Sequence, residues 1–216
     1  MIQVNNLHKE FNNTPVLKGV NIKIQQNEIV ALQGPSGAGK TTLLKSIGLL
    51  DSVDKGSIIF NNQDITLFNE DQQCLFRNQK IGFVFQFHNL LPEFSAIENI
   101  MLPSLISGKN LSDSKKKAIS LLKSLNISSQ KDKKPNQMSG GEQQRVAIAR
   151  SLINSPKLIL ADEPSGNLDS KQSNYMFELF NKIRNDYAIT FLIITHNNNL
   201  AKMADRIINI EDGRIT

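Results

Sequence analysis

Short apolar runs alternate with longer segments of helical spacing along most of the chain. Residues 29–32, 56–60, 81–85 and 157–161 are apolar runs of strand length, and 189–195 is a β-branched run typical of a buried strand. Between the last two runs, residues 170–183 carry apolar side chains at helical spacing: Met176, Phe177, Leu179, Phe180 and Ile183. This helix is predicted to pack on the core. The alternation predicts an α/β fold with a mainly parallel core sheet.

Two segments depart from this alternation. Residues 2–11 and 16–24 are typical of short strands joined by a turn at 12–15, which predicts antiparallel strands near the N-terminus. Further on, Ser95 and Glu98 form a capping box that places a helix start at Ser95. A second helix is predicted to start near Ser112-Asp113, with one face formed by Ile119, Leu122 and Leu125. We therefore predict one domain, residues 1–216, with a helical subdomain at approximately 88–155 inserted in the core.

Composition narrows the class of protein without naming an activity. The 216 residues can bury a substantial core, and Cys74 is the sole cysteine, which excludes an intramolecular disulfide and favours a reducing compartment. No signal peptide and no apolar run of membrane-spanning length is found, so we expect a cytosolic chain. The net charge of +5 is compatible with nucleic acid or anionic lipid, but no aromatic residues interleave with the lysine runs at 115–117 and 131–134. We expect no nucleic-acid partner.

Residues 34–42 read GPSGAGKTT between an apolar run and a helical segment, the context of a phosphate-binding loop. Glycines let several backbone N–H groups turn onto one anion, and the following helix N-terminus adds partial positive charge. Lys40 can reach the outer phosphates, and Thr41 offers a hydroxyl to Mg²⁺. The pattern predicts ATP and Mg²⁺ as ligands, with the phosphate contacts at Gly34, Pro35, Ser36, Gly37, Ala38, Gly39, Lys40, Thr41 and Thr42.

Polar residues follow three of the predicted strands, where open α/β sheets place their ligands. Asp162 is predicted to hold Mg²⁺, and Glu163 to act as the general base that activates the attacking water. His196 follows the run at 189–195 and can contact the γ-phosphate and help to fix that water. Gln86 can reach Mg²⁺ and the water through its amide oxygen. When each is taken alone, the pattern favours a plain strand-end polar residue for both His196 and Gln86.

A second anion site is predicted at Ser139-Gly140-Gly141, just before the helical segment that begins at Glu142. A nucleotide in the loop at 34–42 already has its phosphates held by its own chain. The second site is therefore predicted to serve a nucleotide held by another copy of the protein, which implies a homodimer with ATP between the subunits.

Together these motifs resemble the nucleotide-binding cassette of ATP-binding cassette (ABC) transporters, and the resemblance covers essentially the whole chain. It includes the segment Ser165-Gly166-Asn167-Leu168-Asp169 after Pro164. The resemblance implies the P-loop NTPase fold of an ABC cassette, a head-to-tail dimer with two composite sites, and membrane contact through permease subunits at the loop containing Gln86. It also implies adenine stacking on Phe11, where the family usually has tyrosine. The signature begins with Met138 instead of the commoner leucine, and Glu142 stands where many members have glutamine.

A narrower resemblance runs from Arg77 to Asn99, above all in the segment QFHNLLPEF at 86–94. It is similar to the ATPase subunits of bacterial lipoprotein-releasing systems, and the C-terminal DGRIT is similar too. This implies two integral-membrane, LolC/LolE-like permease partners at the cytoplasmic face of the inner membrane. Macrolide-type exporters and FtsE-like cell-division complexes remain alternatives. Soluble ABC ATPases of translation or repair usually carry two cassettes or long coiled-coil insertions, and a nucleotide kinase would not need the second anion site.

Overall fold

Two sheets form the framework of the computed structural model, which describes residues 1–166 and 170–216. The smaller sheet is antiparallel, with the order β2-β1-β4-β5, and consists of β1 (Ile2–Phe11), β2 (Thr14–Ile24), β4 (Lys55–Phe60) and β5 (Gln63–Asp64). The larger has the order β10-β9-β3-β8-β7-β6 and consists of β3 (Ile29–Gln33), β6 (Ile81–Phe85), β7 (Leu158–Asp162), β8 (Thr190–Ile194), β9 (Arg206–Glu211) and β10 (Arg214–Ile215). All its pairings are parallel except β9 with β10. The predicted fold class is confirmed.

Seven α-helices surround the sheets within the described residues: α1 (Lys40–Ile47), α2 (Glu70–Lys80), α3 (Ala96–Ile106), α4 (Leu111–Ser124), α5 (Gly140–Leu152), α6 (Ser170–Tyr187) and α7 (Asn198–Ala201). The predicted capping box is present: Ser95 caps α3, and its N–H and hydroxyl both donate to Glu98 Oε2 at 2.7 Å. None of the described helices has the length and apolar character needed to cross a membrane.

The central strands are buried on both faces, as expected for a parallel sheet covered by helices. On β7, Ile159 and Ala161 pack with α3, α4, α5 and α6 in one hydrophobic cluster. The alternate residues Leu158 and Leu160 pack with α1 and the antiparallel sheet in a second cluster. The five apolar side chains of α6 predicted from its spacing are all buried: Met176, Phe177, Leu179, Phe180 and Ile183.

The first turn is shorter than predicted. Asn12 and Asn13 have φ of 48° and 61°, so these two residues alone join β1 to β2, as in a type I′ hairpin that favours asparagine. Thr14 and Pro15 belong to β2 instead. Pro15 is tolerated in this strand because β2 lies at the edge of its sheet.

The predicted start of α4, near Ser112-Asp113, is one residue from the observed one, but the prediction of its buried face was wrong at Ile119. The helix begins at Leu111, since Asn110 Oδ1 accepts from the Asp113 N–H at 2.8 Å and caps it. Ile119 is 44% exposed, whereas the buried stripe comprises Ser114, Ala118, Leu121, Leu122 and Leu125. A constant spacing of three drifts off a face with about 3.6 residues per turn, whereas spacings of four and three alternate along it.

Candidate functional site

The phosphate loop lies between β3 and α1, as the sequence predicts. Gly39 is the N-cap of α1 with φ of 99°, and Gly34 has φ of 154°. A Cβ at Gly34 would lie 2.0 Å from the Ile210 carbonyl oxygen, so the close approach of β9 requires glycine there. Ala38 is buried, and its N–H donates to the Pro35 carbonyl at 3.3 Å. The loop is thus held in place by its close contact with β9 and by a hydrogen bond within the loop.

Lys40, the first residue of α1, is buried, and its ammonium group is enclosed by the loop. Its Nζ donates to the carbonyl oxygens of Gly34 and Pro35, at 2.9 and 2.8 Å. Both acceptors are neutral parts of the loop that it closes. An ammonium group held this way lies within the loop and can exchange these acceptors for phosphate oxygens.

A cavity of about 340 Å³ joins this loop to the ends of β7 and β8. From the predicted set, its lining contains Ser36, Gly37, Gly39, Lys40, Thr41, Thr42, Asp162, Glu163 and His196. Val16 and Ile194 line it as well and were not predicted. Val16 follows the hairpin of the antiparallel sheet, and its position beside the loop depends on tertiary packing.

Thr41 and Asp162 face each other across the cavity. The Thr41 hydroxyl lies 3.1 Å from Asp162 Oδ2 and 3.4 Å from Oδ1. Burial raises the pKa of Asp162, although the Thr41 hydroxyl, Lys45 and Lys40 oppose the shift. No group of three or more His, Cys, Asp or Glu side chains within 1–166 and 170–216 forms a metal site by itself. One carboxylate and one hydroxyl fit Mg²⁺, which commonly takes few protein ligands and completes its shell with phosphates and water.

Glu163 and His196 form the other end of the cavity. His196 Nε2 lies 3.2 Å from Glu163 Oε1, and the His196 N–H donates to Oε2 at 3.4 Å. Oε1 is buried; the His196 Nε2 contact is at ion-pair distance but lacks the geometry of a hydrogen bond, and no other described residue donates to this oxygen. Burial raises the pKa of Glu163, and the positive charge of a protonated His196 would oppose this. Glu163 has φ of 47°, a strained backbone for glutamate of the kind that clusters at functional sites.

Gln86 and Phe11 lie outside the lining of this cavity. Gln86 follows Phe85, which pairs with Asp162 in the sheet, and a Cβ at Gly166 would lie 2.6 Å from Gln86 Nε2. Phe11 ends β1 with its side chain 45% exposed, and Lys9 Nζ lies 5.2 Å from its ring centroid. Lys9 is buried and also pairs with Asp54 at 3.1 Å. This support for the ring was missed, since β1 and the segment at Asp54 are far apart in sequence.

The predicted second anion site lies at the N-terminus of α5. Ser139 is the N-cap, and a capping box links it to Glu142: the Ser139 N–H and hydroxyl donate to Glu142 Oε2 at 2.7 and 2.8 Å. The Ser139 N–H, followed by the hydroxyl, lowers the pKa of Glu142. Ser139, Gly140, Gly141 and Glu142 do not line the phosphate cavity. Of the segment that follows Pro164, Asn167, Leu168 and Asp169 lie outside the described residues.

A groove of about 280 Å³ runs along β6, the edge strand of the larger sheet, between α2, α3 and α5. The loop that leaves β6 exposes three apolar side chains, Phe87, Leu91 and Phe94, and Phe87 is 75% exposed. Leu90 instead packs against the larger hydrophobic cluster. The segment at 86–94 is therefore part surface and part core.

The same loop is bound to α5 by a contact that the sequence did not reveal. Arg150 Nη1 donates to the Asn89 carbonyl at 2.6 Å, and Nη2 donates to the His88 carbonyl at 2.7 Å. His88 and Asn89 both have positive φ, near 50°. Burial lowers the pKa of Arg150. A backbone acceptor leaves no signature in sequence, so this contact could be found only from the structure.

Comparisons with known proteins agree with this geometry. A family model described as ABC transporter matches residues 17–166. The lipoprotein-releasing system ATP-binding protein LolD of Bacteroides fragilis is 47% identical, over 100% of the chain and 100% of the relative. Its counterpart in Porphyromonas gingivalis is 48% identical, over 99% of the chain and 97% of the relative.

Solved structures give the same family. An ATP-binding cassette, described as a dimer in a post-hydrolysis state bound to ADP and Pi, is 38% identical with a TM-score of 0.90. The match covers 100% of the chain and 96% of that structure. A dimeric bacterial ABC transporter cassette gives the same identity, coverage and TM-score. With its phosphate loop, acidic strand end and capped α5 arranged on this fold, the chain belongs to the ABC transporter family as an ATP-binding, ATP-hydrolysing domain.

Proposed function

We propose that the chain is the ATPase subunit of an inner-membrane complex that releases lipoproteins for transfer to the outer membrane. The observation that carries this proposal is its likeness, at 47% and 48% identity over full length, to proteins named LolD. Those names favour lipoprotein release over the macrolide-type exporter and FtsE-like alternatives.

In the proposed nucleotide site, backbone N–H groups of the loop at 34–42 hold the phosphates, and Lys40 exchanges the Gly34 and Pro35 carbonyls for the outer phosphates. Thr41 and Asp162 are positioned to hold Mg²⁺, and we assign Gln86 to the same ion. Bound there, Mg²⁺ would neutralise charge on the phosphates. Phe11 offers its exposed ring to adenine.

We assign the general-base role to Glu163. Its buried Oε1 is an acceptor without a hydrogen bond from the described residues, which suits a water molecule that must lose a proton. A raised pKa makes the ionised carboxylate a stronger proton acceptor. His196, 3.2 Å from that oxygen, would hold the water and the γ-phosphate in line.

The N-terminus of α5 is assigned to the nucleotide of a second copy. Ser139, Gly140 and Gly141 offer a hydroxyl and backbone N–H groups at a helix start but do not line their own chain's cavity. A head-to-tail homodimer would place them over the partner's γ-phosphate. Glu142 would then release the Ser139 hydroxyl that it accepts from in the capping box.

The permease partners, two LolC/LolE-like subunits, are assigned to the groove along β6 and to the exposed side chains of Phe87 and Phe94. An unpaired sheet edge beside exposed aromatic side chains is a common protein-binding surface. The chain would then be a single ATP-binding domain, with its helical insertion at approximately 88–155, held peripherally at the cytoplasmic face of the inner membrane.

One experiment tests this function directly. The tagged chain is purified from bacterial membranes, its partners are identified, and the complex is reconstituted in vesicles with a fluorescent lipoprotein. We expect two permease subunits to copurify and lipoprotein release to require ATP. Lys40→Ala is the matched control, which should assemble but not release. Copurification with an exporter or a cell-division permease, without lipoprotein release, would refute the proposal.

A further inference from the structure

A pair of lysines lies beside the groove, on the turn from α3 to α4 and on α4 itself. Lys109 Nζ donates to Asn154 Oδ1 at 3.0 Å, and Lys117 Nζ donates to Ser155 Oγ at 2.7 Å. Because Asn154 and Ser155 are neighbours in the chain, the two ammonium groups are brought to the same spot. Burial, and then the charge of Lys109, lower the pKa of Lys117. Two like charges are therefore held close together, with Lys117 partly buried and Lys109 exposed.

No acidic side chain compensates this pair within the described parts of the chain. The ion pairs there involve other residues, and neither Lys109 nor Lys117 is among them. Asp113 precedes Lys117 by one helical turn, but its Oδ2 accepts from Asn110 Nδ2 at 2.7 Å as part of the N-terminal cap. Both lysines thus retain donor capacity and charge for an external anion.

Apolar side chains project on either side of Lys109. Ile106 at the end of α3 is 70% exposed, and Leu111 at the start of α4 is 63% exposed. Lys115 and Lys116, also exposed, continue the positive charge along α4. Exposed apolar residues interleaved with unpaired lysines match the boundary of an anionic bilayer, where headgroup phosphates lie above the acyl chains.

This surface is continuous with the groove along β6. Asn154, which accepts from Lys109, lines that groove and donates through Nδ2 to the carbonyl oxygens of Pro103 and Asn78 at 3.0 Å each. If a membrane protein occupies the groove, the lysine pair lies on the side of the chain that approaches the membrane. We infer that the surface formed by Ile106, Lys109, Leu111 and Lys117 binds anionic lipid headgroups. This inference rests on the proposed function in one respect: a permease in the groove would turn the lysine pair toward the membrane.

Vesicle flotation of the intact chain tests the inference. Wild type is compared on vesicles of phosphatidylcholine mixed with phosphatidylglycerol and on vesicles of phosphatidylcholine alone. We expect binding to the anionic vesicles only, reduced by added salt. The double variant Lys109→Gln/Lys117→Gln should bind roughly 10- to 30-fold more weakly, since each lysine near such a surface contributes about 1 kcal/mol. Ile106→Ser/Leu111→Ser should also weaken binding with its charge unchanged.

Lys55→Gln/Lys182→Gln is the matched control, because it removes the same charge from exposed positions elsewhere and should bind as wild type does. Melting and ATP hydrolysis should be unchanged in every variant. The inference would be overturned if wild type bound neutral vesicles equally well, or if the control variant lost as much binding as Lys109→Gln/Lys117→Gln. It would also be overturned if inorganic phosphate, at the same concentration as the lipid, displaced the chain from the vesicles. So would normal vesicle binding combined with weaker permease copurification, which would assign the lysines to an acidic protein segment. If wild type copurifies with no permease, the proposed function is refuted. The vesicle result still decides whether this surface binds anionic lipid.

Discussion

The Arg150 guanidinium donates to the carbonyl oxygens of His88 and Asn89, two successive residues with left-handed backbones. Arg150 lies on the helix whose N-terminus is Ser139, and Asn89 lies in the loop that follows Gln86. The guanidinium therefore fixes the loop after β6 to the same helix whose N-terminus we propose as the second anion site.

Arg150→Ala should destabilise the chain, because it leaves two carbonyl acceptors without their donor and loosens a strained turn. We expect a loss of about 1–3 kcal/mol in the free energy of unfolding, measured by urea denaturation. Arg214→Ala, at an exposed position, is the control and should change stability little. Wild-type stability in Arg150→Ala would show that the loop is held by other contacts.

Glu163→Gln should reduce ATP hydrolysis by roughly 10²- to 10⁴-fold, because the amide cannot accept the proton of the attacking water. ATP binding should persist, and ATP-bound dimers should accumulate. Turnover and light scattering measure the two effects, with Glu211→Gln at an exposed position as control. Near-normal turnover would remove Glu163 from the general-base role.

The pH dependence should separate chemistry from folding. Burial raises the pKa of Glu163, so hydrolysis should fall as the pH drops through this raised value, at a higher pH than for an ordinary glutamate. Because its folded-state pKa lies above the unfolded one, protonation of Glu163 favours the folded state.

Acid unfolding should occur at a lower pH than the loss of ATP hydrolysis. The Glu10 N–H lowers the pKa of Asp54, and the Ser95 hydroxyl lowers that of Glu98. Their stabilisation is present above the unfolded pKa and is lost as the pH falls through the lowered values. Circular dichroism should show a folded chain across the acid limb of activity. If unfolding and the loss of activity occur at the same pH, protonation of Glu163 does not determine the acid limb of the pH–activity profile.

Mixing two inactive variants tests the composite site. Lys40→Ala alters the phosphate loop and Ser139→Arg alters the N-terminus of α5, so each homodimer has both sites impaired. A mixed dimer should regain one intact site, because it takes its loop from one subunit and its helix start from the other. The measurement is ATP hydrolysis, or a single trapped ATP per dimer, after mixing. Sites shared between chains would be contradicted if either homodimer were active. They would also be contradicted if the mixed dimer showed neither ATP hydrolysis nor a trapped ATP.

Changing Phe87 and Phe94 to serine should weaken permease assembly while basal ATP hydrolysis remains. Both rings are exposed, so little core packing is lost. Leu90→Ser is the contrasting variant and should lower the melting temperature, since Leu90 packs against the larger cluster. Normal assembly and lipoprotein release by Phe87→Ser/Phe94→Ser would exclude these rings from the interface.

Local patterns predicted most of the framework, because strand runs, helix caps and the phosphate loop are encoded by neighbouring residues. The Ser95 cap and the order of strands and helices were accessible this way. So was the grouping around one cavity of Lys40, Thr41, Asp162, Glu163 and His196. Ile119 failed because a fixed spacing drifts off a helical face. Val16, Lys9 and Arg150 were missed because their positions depend on tertiary packing: Val16 beside the phosphate loop, Lys9 against Asp54, and Arg150 against the His88 carbonyl.

The position of β6 at the end of the larger sheet has a consequence for how much of this subunit a cell can make. Its outer backbone groups lie along a groove and form no ladder with a further strand of the described chain. An uncovered strand edge is also the template on which partly folded chains add strands and aggregate. Subunits made in excess of their permeases would keep this template exposed, so balanced synthesis of the two would limit aggregation.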